Sequence, residues 1–108
     1  MAVHLSNPVA AYFAGNRNFD LQAMLAPFSS DARVLDEGRC HEGRHAIRAW
    51  IEAATIGNQA LAVPRSARRE AGQEVVVAEV TGPFPGSPVT LTFRFTLAQD
   101  GISRLEIG

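Results

Sequence analysis

A single cysteine in 108 residues leaves no internal disulfide to form, so Cys40 fits a reducing compartment. Nothing around Cys40 marks a nucleophile, and a lone cysteine is more often a small buried hydrophobe, the position expected here. No apolar run approaches the ~20 residues of a membrane span, and no charged-then-apolar leader opens the sequence. A soluble, cytoplasmic protein is the expectation. Excess charge is missing too: ten basic against eleven acidic residues leave a net charge of −1. Without a basic stripe, nucleic acid is not an expected partner. The one local cluster, Arg65, Arg68 and Arg69, reads as a solvated strand end. Repeats, linkers and low-complexity segments are also absent. What remains is an ordinary globular composition, 46% apolar and 19% charged, which suits one domain over residues 1–108.

The first third of the chain has helical periodicity. Asn7 as N-cap and Pro8 at the first helical position open a helix. Val9, Tyr12 and Phe13 form its apolar face, and Gly15 with Asn16-Arg17-Asn18 ends it. Asp20 caps a second helix with the stripe Leu21, Met24, Leu25 and Phe28, its last turn made irregular by Pro27. From Ala32 the period becomes two, with Ala32, Val34 and Asp36 on one strand face and Arg33, Leu35 and Glu37 on the other. Gly38 turns the chain into a short strand, Arg39-Cys40-His41, and Gly43 breaks it. A third helix carries Ile47, Trp50, Ile51 and Ala54, and Gly57-Asn58 stops it.

The remainder reads as β. Leu61 to Arg69 is a strand in which Pro64 demands an edge position or a bulge, and Glu74 to Thr81 is rich in valine. Gly82 to Pro88, with three prolines and two glycines, is a loop. Val89, Leu91, Phe93, Phe95 and Leu97 then alternate with Thr90, Thr92, Arg94 and Thr96, the clearest strand in the chain. Asp100-Gly101 turns into a last strand, Ile102 to Ile107. Helices gathered early and a meander late predict an α+β domain: three N-terminal helices packed on a curved, mostly antiparallel sheet. Such a sheet leaves a cavity against the helices, the usual place for a small ligand.

This order of elements, with Phe28-Ser29-Ser30-Asp31-Ala32-Arg33-Val34-Leu35-Asp36 entering the first strand, resembles the NTF2-like superfamily and its cone-shaped, cystatin-like fold. Within it the chain is similar to SnoaL-like and ketosteroid-isomerase-like proteins, whose helix start Gly43-Arg44-His45-Ala46-Ile47-Arg48-Ala49-Trp50 also matches. The resemblance implies that Asp36 stands where ketosteroid isomerases carry a general-base aspartate, and Tyr12 where they carry a tyrosine of the oxyanion hole. The second donor of that hole is a protonated aspartic acid, and Leu91 occupies its place, so one of two donors is missing. The resemblance also implies a homodimer through the outer sheet face, with Arg94 and its threonine neighbours; a solvated face is the plain alternative.

Each candidate has two readings. Asp36 is a base turned into the cavity, or a strand-end residue that caps a turn. Tyr12 is core bulk, or a donor toward developing negative charge. His41 is a proton shuttle beside Asp36, or an exposed histidine. The string His41-Glu42-Gly43-Arg44-His45 matches a zinc pattern, but Gly43 interrupts the helix it needs, so no metal is expected. Trp50 reads as a core anchor, and Phe84 as a loop hydrophobe, a pocket flank or part of a partner surface. The ligand pocket is expected to draw on Val34, Trp50, Val89, Leu91, Phe93 and Phe95.

Three functions follow. The first is an isomerase, cyclase or dehydratase with Asp36 as base and Tyr12 as donor on a small apolar carbonyl compound, needing neither metal nor organic cofactor. The second is a non-catalytic binding module for a small hydrophobic ligand, which the apolar inward row from Val89 to Leu97 favours. The third is a structural dimer with a filled core.

Overall fold

The computed structural model describes residues 3–108. Its helices are α1 (Asn7–Arg17), α2 (Leu21–Leu25) and α3 (Arg44–Trp50), the last running into a π-helical turn, Ile51–Ile56. Its strands are β1 (Phe28–Asp36), β2 (Arg39–Glu42), β3 (Leu61–Glu70), β4 (Gln73–Thr81), β5 (Val89–Ala98) and β6 (Gly101–Ile107). They form one sheet in the order β2-β1-β6-β5-β4-β3, antiparallel except where β1 runs beside β6. The α+β architecture expected from the pattern is the one found.

Register fixes which side chains meet the helices. Val76 faces Phe93, Ala78 faces Leu91 and Val80 faces Val89 across β4 and β5, while Phe93 and Phe95 face Ile107 and Leu105 across β5 and β6. Cross-strand partners share a face, so one continuous apolar surface results. Helix α1 lays Val9, Tyr12 and Phe13 on it, all buried. Tyr12 meets Phe13, Phe28 and Phe95 edge to face at 5.2, 5.9 and 5.7 Å between ring centres, the arrangement that aromatic quadrupoles favour. On the opposite face, Arg65 pairs with Glu79, and Glu70 with both Arg68 and Arg94, all partly exposed.

Several local expectations shift. Ser6, not Asn7, is the N-cap of α1, and its backbone N–H donates to Glu74 Oε2 at 3.0 Å. Gly15 does not end α1; a Cβ there would lie 2.8 Å from the Met24 backbone N, so its hydrogen lets α2 cross closely. Phe28 belongs to β1 and not to the α2 stripe, because Pro27 C=O accepts from Ile102 N at 2.8 Å and draws the chain onto β6. The third helix widens instead of continuing, and Gly57 stays right-handed with φ −62, leaving the left-handed turn to Gln59 at φ 50. Pro64 does sit at a bulge, between Pro64 and Ser66 on the edge strand β3. Cys40 is exposed, not buried, since it pairs with Leu35 on the face away from the helices.

Candidate active site

Strand parity sets the site. Ala32 and Val34 are buried on the helix side of β1, which turns Asp36 to that side as well, half-buried at the strand end. The hairpin to β2 has two residues, Glu37 at φ 53 and Gly38 at φ 74, the left-handed pair that suits the twist of a tight β-hairpin. That loop fixes the register: Asp36 opposite Arg39 and Val34 opposite His41. His41 therefore shares the inward face. It is half-buried on the cavity wall, its ring 6.1 Å from that of Trp50, and not an exposed histidine.

The Asp36 carboxylate is held in place. Trp50, at the end of α3, donates from Nε1 to Asp36 Oδ2 at 3.0 Å. A charge-assisted bond of this kind orients the group, and Asp36 itself lines the cavity. Tyr12 reaches the same cavity from α1 and is 3% exposed. Burial, and then the negative charge of Asp36, push its phenol above the ordinary tyrosine range. It thus stays protonated at neutral pH, a donor of a hydrogen bond.

The cavity holds about 970 Å³. Trp50, Val89, Leu91 and Phe93 line it as expected, and Phe84 from the proline-rich loop joins them. Val34 and Phe95 do not line it, being fully buried in the core behind. Nor is the lining wholly apolar: Asn16 and Thr55 face it from inside, with Glu37, Arg39 and Asn58 exposed at the rim.

Asn16 and Thr55 carried little sequence signal. Asn16 sits one turn after Tyr12, a spacing that puts both on one face, but its place in a polar run suggested a helix end. It is buried; Nδ2 donates to Ala60 O at 2.9 Å, and Oδ1 accepts from Ala62 N at 2.7 Å. Those bonds tie α1 to the start of β3. The π-helical turn spans residues whose bonds close five apart, Gly57 N to Glu52 O at 2.8 Å and Ala60 N to Thr55 O at 3.0 Å. His41 and His45 lie on different elements, β2 and α3, with His45 exposed, so the zinc-like string does not converge on one helix face.

No family model matches the chain, and no curated protein does. Solved structures do. A Sinorhizobium meliloti protein described as a "putative polyketide cyclase" is 40% identical, with 96% of this chain and 95% of that chain covered at a TM-score of 0.90. A Catenulispora acidiphila protein with a ketosteroid isomerase-like fold, solved with trimethylamine, is 18% identical, with 97% and 86% covered at 0.80. An NTF2-like protein of Cytophaga hutchinsonii is 9% identical, with 100% and 91% covered at 0.79, a likeness of fold alone.

Proposed function

This chain belongs to the NTF2-like superfamily, among its SnoaL-like and ketosteroid-isomerase-like members, and on that footing we propose that its cavity is the site of an acid–base enzyme acting on a small carbonyl compound. The observation that carries the proposal is a carboxylate and a phenol sharing one cavity, Asp36 fixed by the Trp50 indole and Tyr12 kept protonated by its surroundings.

Asp36 Oδ1 takes the proton from the carbon beside the substrate carbonyl. As the carbonyl oxygen gains negative charge, the Tyr12 hydroxyl donates a hydrogen bond to it, stabilisation that grows toward the transition state. In an isomerisation Asp36 returns the proton at another carbon. In an aldol-type cyclisation the enolate carbon attacks a second carbonyl of the same molecule, and the new alkoxide takes the proton from Asp36. Either route balances without a further reactant. His41, which also lines the cavity, serves in this reading as a proton relay for Asp36. The 40% identical protein described as a polyketide cyclase supports the cyclisation branch. Leu91 at the position of the missing acid leaves Tyr12 with less help at the oxyanion than a ketosteroid isomerase has.

Val89, Leu91, Phe93, Trp50 and Phe84 around the cavity support a second reading, a binding module for a small hydrophobic molecule. Asp36→Asn separates the two. The enzyme loses turnover and keeps affinity for a planar phenol that mimics the enolate; a binding module changes, at most, in affinity. The proposal includes a homodimer through the outer sheet face, where Thr90, Thr92 and Arg94 sit. Sedimentation equilibrium tests it, and a monomer throughout the micromolar range would remove it.

A further inference from the structure

Tyr12 is buried at the cavity wall, and its hydroxyl pairs with no described residue. Its position therefore comes from whatever holds α1. Phe13, Phe28 and Phe95 confine the ring from the side, but apolar packing is non-directional and resists sliding along the helix axis weakly. Hydrogen bonds are directional, and two polar attachments tie α1 to the sheet. Near the C-terminal end, Asn16 bonds to Ala60 and Ala62 at the start of β3. At the N-terminal end, the Ser6 backbone N–H donates to Glu74 Oε2 at 3.0 Å. Tyr12 lies between the two, about 9 Å along the axis from Ser6 and about 6 Å from Asn16 at 1.5 Å per residue.

Glu74 is an unusual residue for its place. It stands opposite Phe95, on the face that β4 otherwise fills with Val76, Ala78 and Val80, and it is only 6% exposed. A carboxylate loses hydration there that an apolar side chain would not, so core filling does not account for it. Its contact does. Ser6, the N-cap of α1, makes no side-chain capping bond, and its Oγ is buried without a partner among the described residues. Glu74 reaches across from β4, accepts the backbone N–H and sets negative charge at the positive end of the helix dipole. We infer that Glu74 is a positioning residue for Tyr12: it fixes where α1 stands along the sheet, and so where the phenol meets a ligand oxygen. This rests on the acid–base reading of the site and adds a group that touches neither ligand nor reacting atoms. With the bond gone, the N-terminal end of α1 is free to shift while Asn16 still pins the other, and the donor geometry at Tyr12 suffers before the fold does.

Calorimetric titration with naphthol, a planar phenol that mimics an enolate, tests this. Glu74→Leu removes the acceptor at similar size, and Glu74→Gln keeps one. Ser6→Pro removes the N–H from the other side, where φ is already −63; Ser6→Ala keeps it and deletes only the unpaired hydroxyl. Glu74→Leu and Ser6→Pro should each weaken naphthol about three- to tenfold, the worth of one hydrogen bond held off its best geometry. Glu74→Gln and Ser6→Ala should bind as wild type does. In a Tyr12→Phe background, Glu74→Leu should have no further effect, a coupling that a merely structural role would not produce. Should Glu74→Leu fail to fold, Ser6→Pro decides. Unchanged affinity in Glu74→Leu or Ser6→Pro, a Glu74→Gln no better than Glu74→Leu, or equal weakening with and without the Tyr12 hydroxyl overturns the role of Glu74. The acid–base reading stands in each of those cases so long as Tyr12→Phe weakens naphthol. Naphthol binding that is absent or indifferent to Tyr12→Phe overturns both.

Discussion

Replacing Tyr12 by phenylalanine removes one oxygen, and the surroundings of that oxygen determine three consequences. No described residue pairs with the hydroxyl, so the folded state loses no internal hydrogen bond; between pH 6 and 9 stability should move by no more than about 1 kcal/mol. Ligand binding should move far more. A phenol donating to an anionic oxygen is worth about 1.5–3 kcal/mol, so Tyr12→Phe should weaken binding of an enolate mimic by roughly 10- to 150-fold. The third consequence appears in base. The phenol of folded Tyr12 is pushed above the ordinary range by burial and by Asp36, whereas in the unfolded chain it titrates near the usual value of about 10. Above that pH the unfolded chain releases the proton first. Its folded-state group is the one with the raised value, so the contribution is intact below about pH 10 and is lost as pH rises beyond it. Wild type should lose about 1.4 kcal/mol per pH unit relative to Tyr12→Phe in that window. Urea unfolding of the two proteins from pH 8 upward reads the difference, and tyrosinate absorbance reads the group directly, because Tyr12 is the only tyrosine. Parallel stability curves, with tyrosinate appearing near pH 10 in the folded protein, would refute the buried, charge-coupled phenol.

Asn16→Ala should strand Ala62 N–H and Ala60 C=O at once, costing roughly 2–4 kcal/mol in urea unfolding. Asn16→Asp keeps the acceptor for Ala62 but sets a buried carboxylate oxygen against Ala60 C=O, and should cost at least as much. Gly15→Ala should cost about 1–3 kcal/mol, because its Cβ would meet the Met24 backbone at 2.8 Å and α2 would have to move. Trp50→Phe removes the 3.0 Å bond to Asp36 and should lower kcat by about 10- to 100-fold, with KM little changed. An unaltered kcat in Trp50→Phe would mean that the indole does not position the base.

The sheet was legible because its strands alternate: the row from Val89 to Leu97 and the parity of Ala32, Val34 and Asp36 both point inward as read. Asp20 caps α2 as expected, accepting from Ala23 N at 3.1 Å, and Pro64 marks its bulge. Phe28 misled because it extends a helical spacing, and only pairing with β6, some seventy residues away, makes it a strand. Cys40 turned outward, against expectation, and His41, whose face the pattern left open, turned inward, because parity after a hairpin depends on its exact loop length. That Asp36 and Tyr12 would line one cavity was legible through the family likeness; the Trp50 bond, the Asn16 tether and Thr55 on the cavity wall were not. Each of those depends on where a helix ends or widens, and the π-helical turn is written in no local residue signal. Val34 and Phe95 have the right parity for the cavity but lie too deep beneath the helices to line it.

The central claim is that Asp36 and Tyr12 work in one pocket. Carbon NMR of the Asp36 carboxyl and the Tyr12 ring, followed while naphthol is added, tests it directly. The account predicts that both signals move along one saturable curve, and that Tyr12 responds in Asp36→Asn as well. If neither signal moves while naphthol binds, or if only one does, the two residues do not share a working site and the acid–base account is wrong.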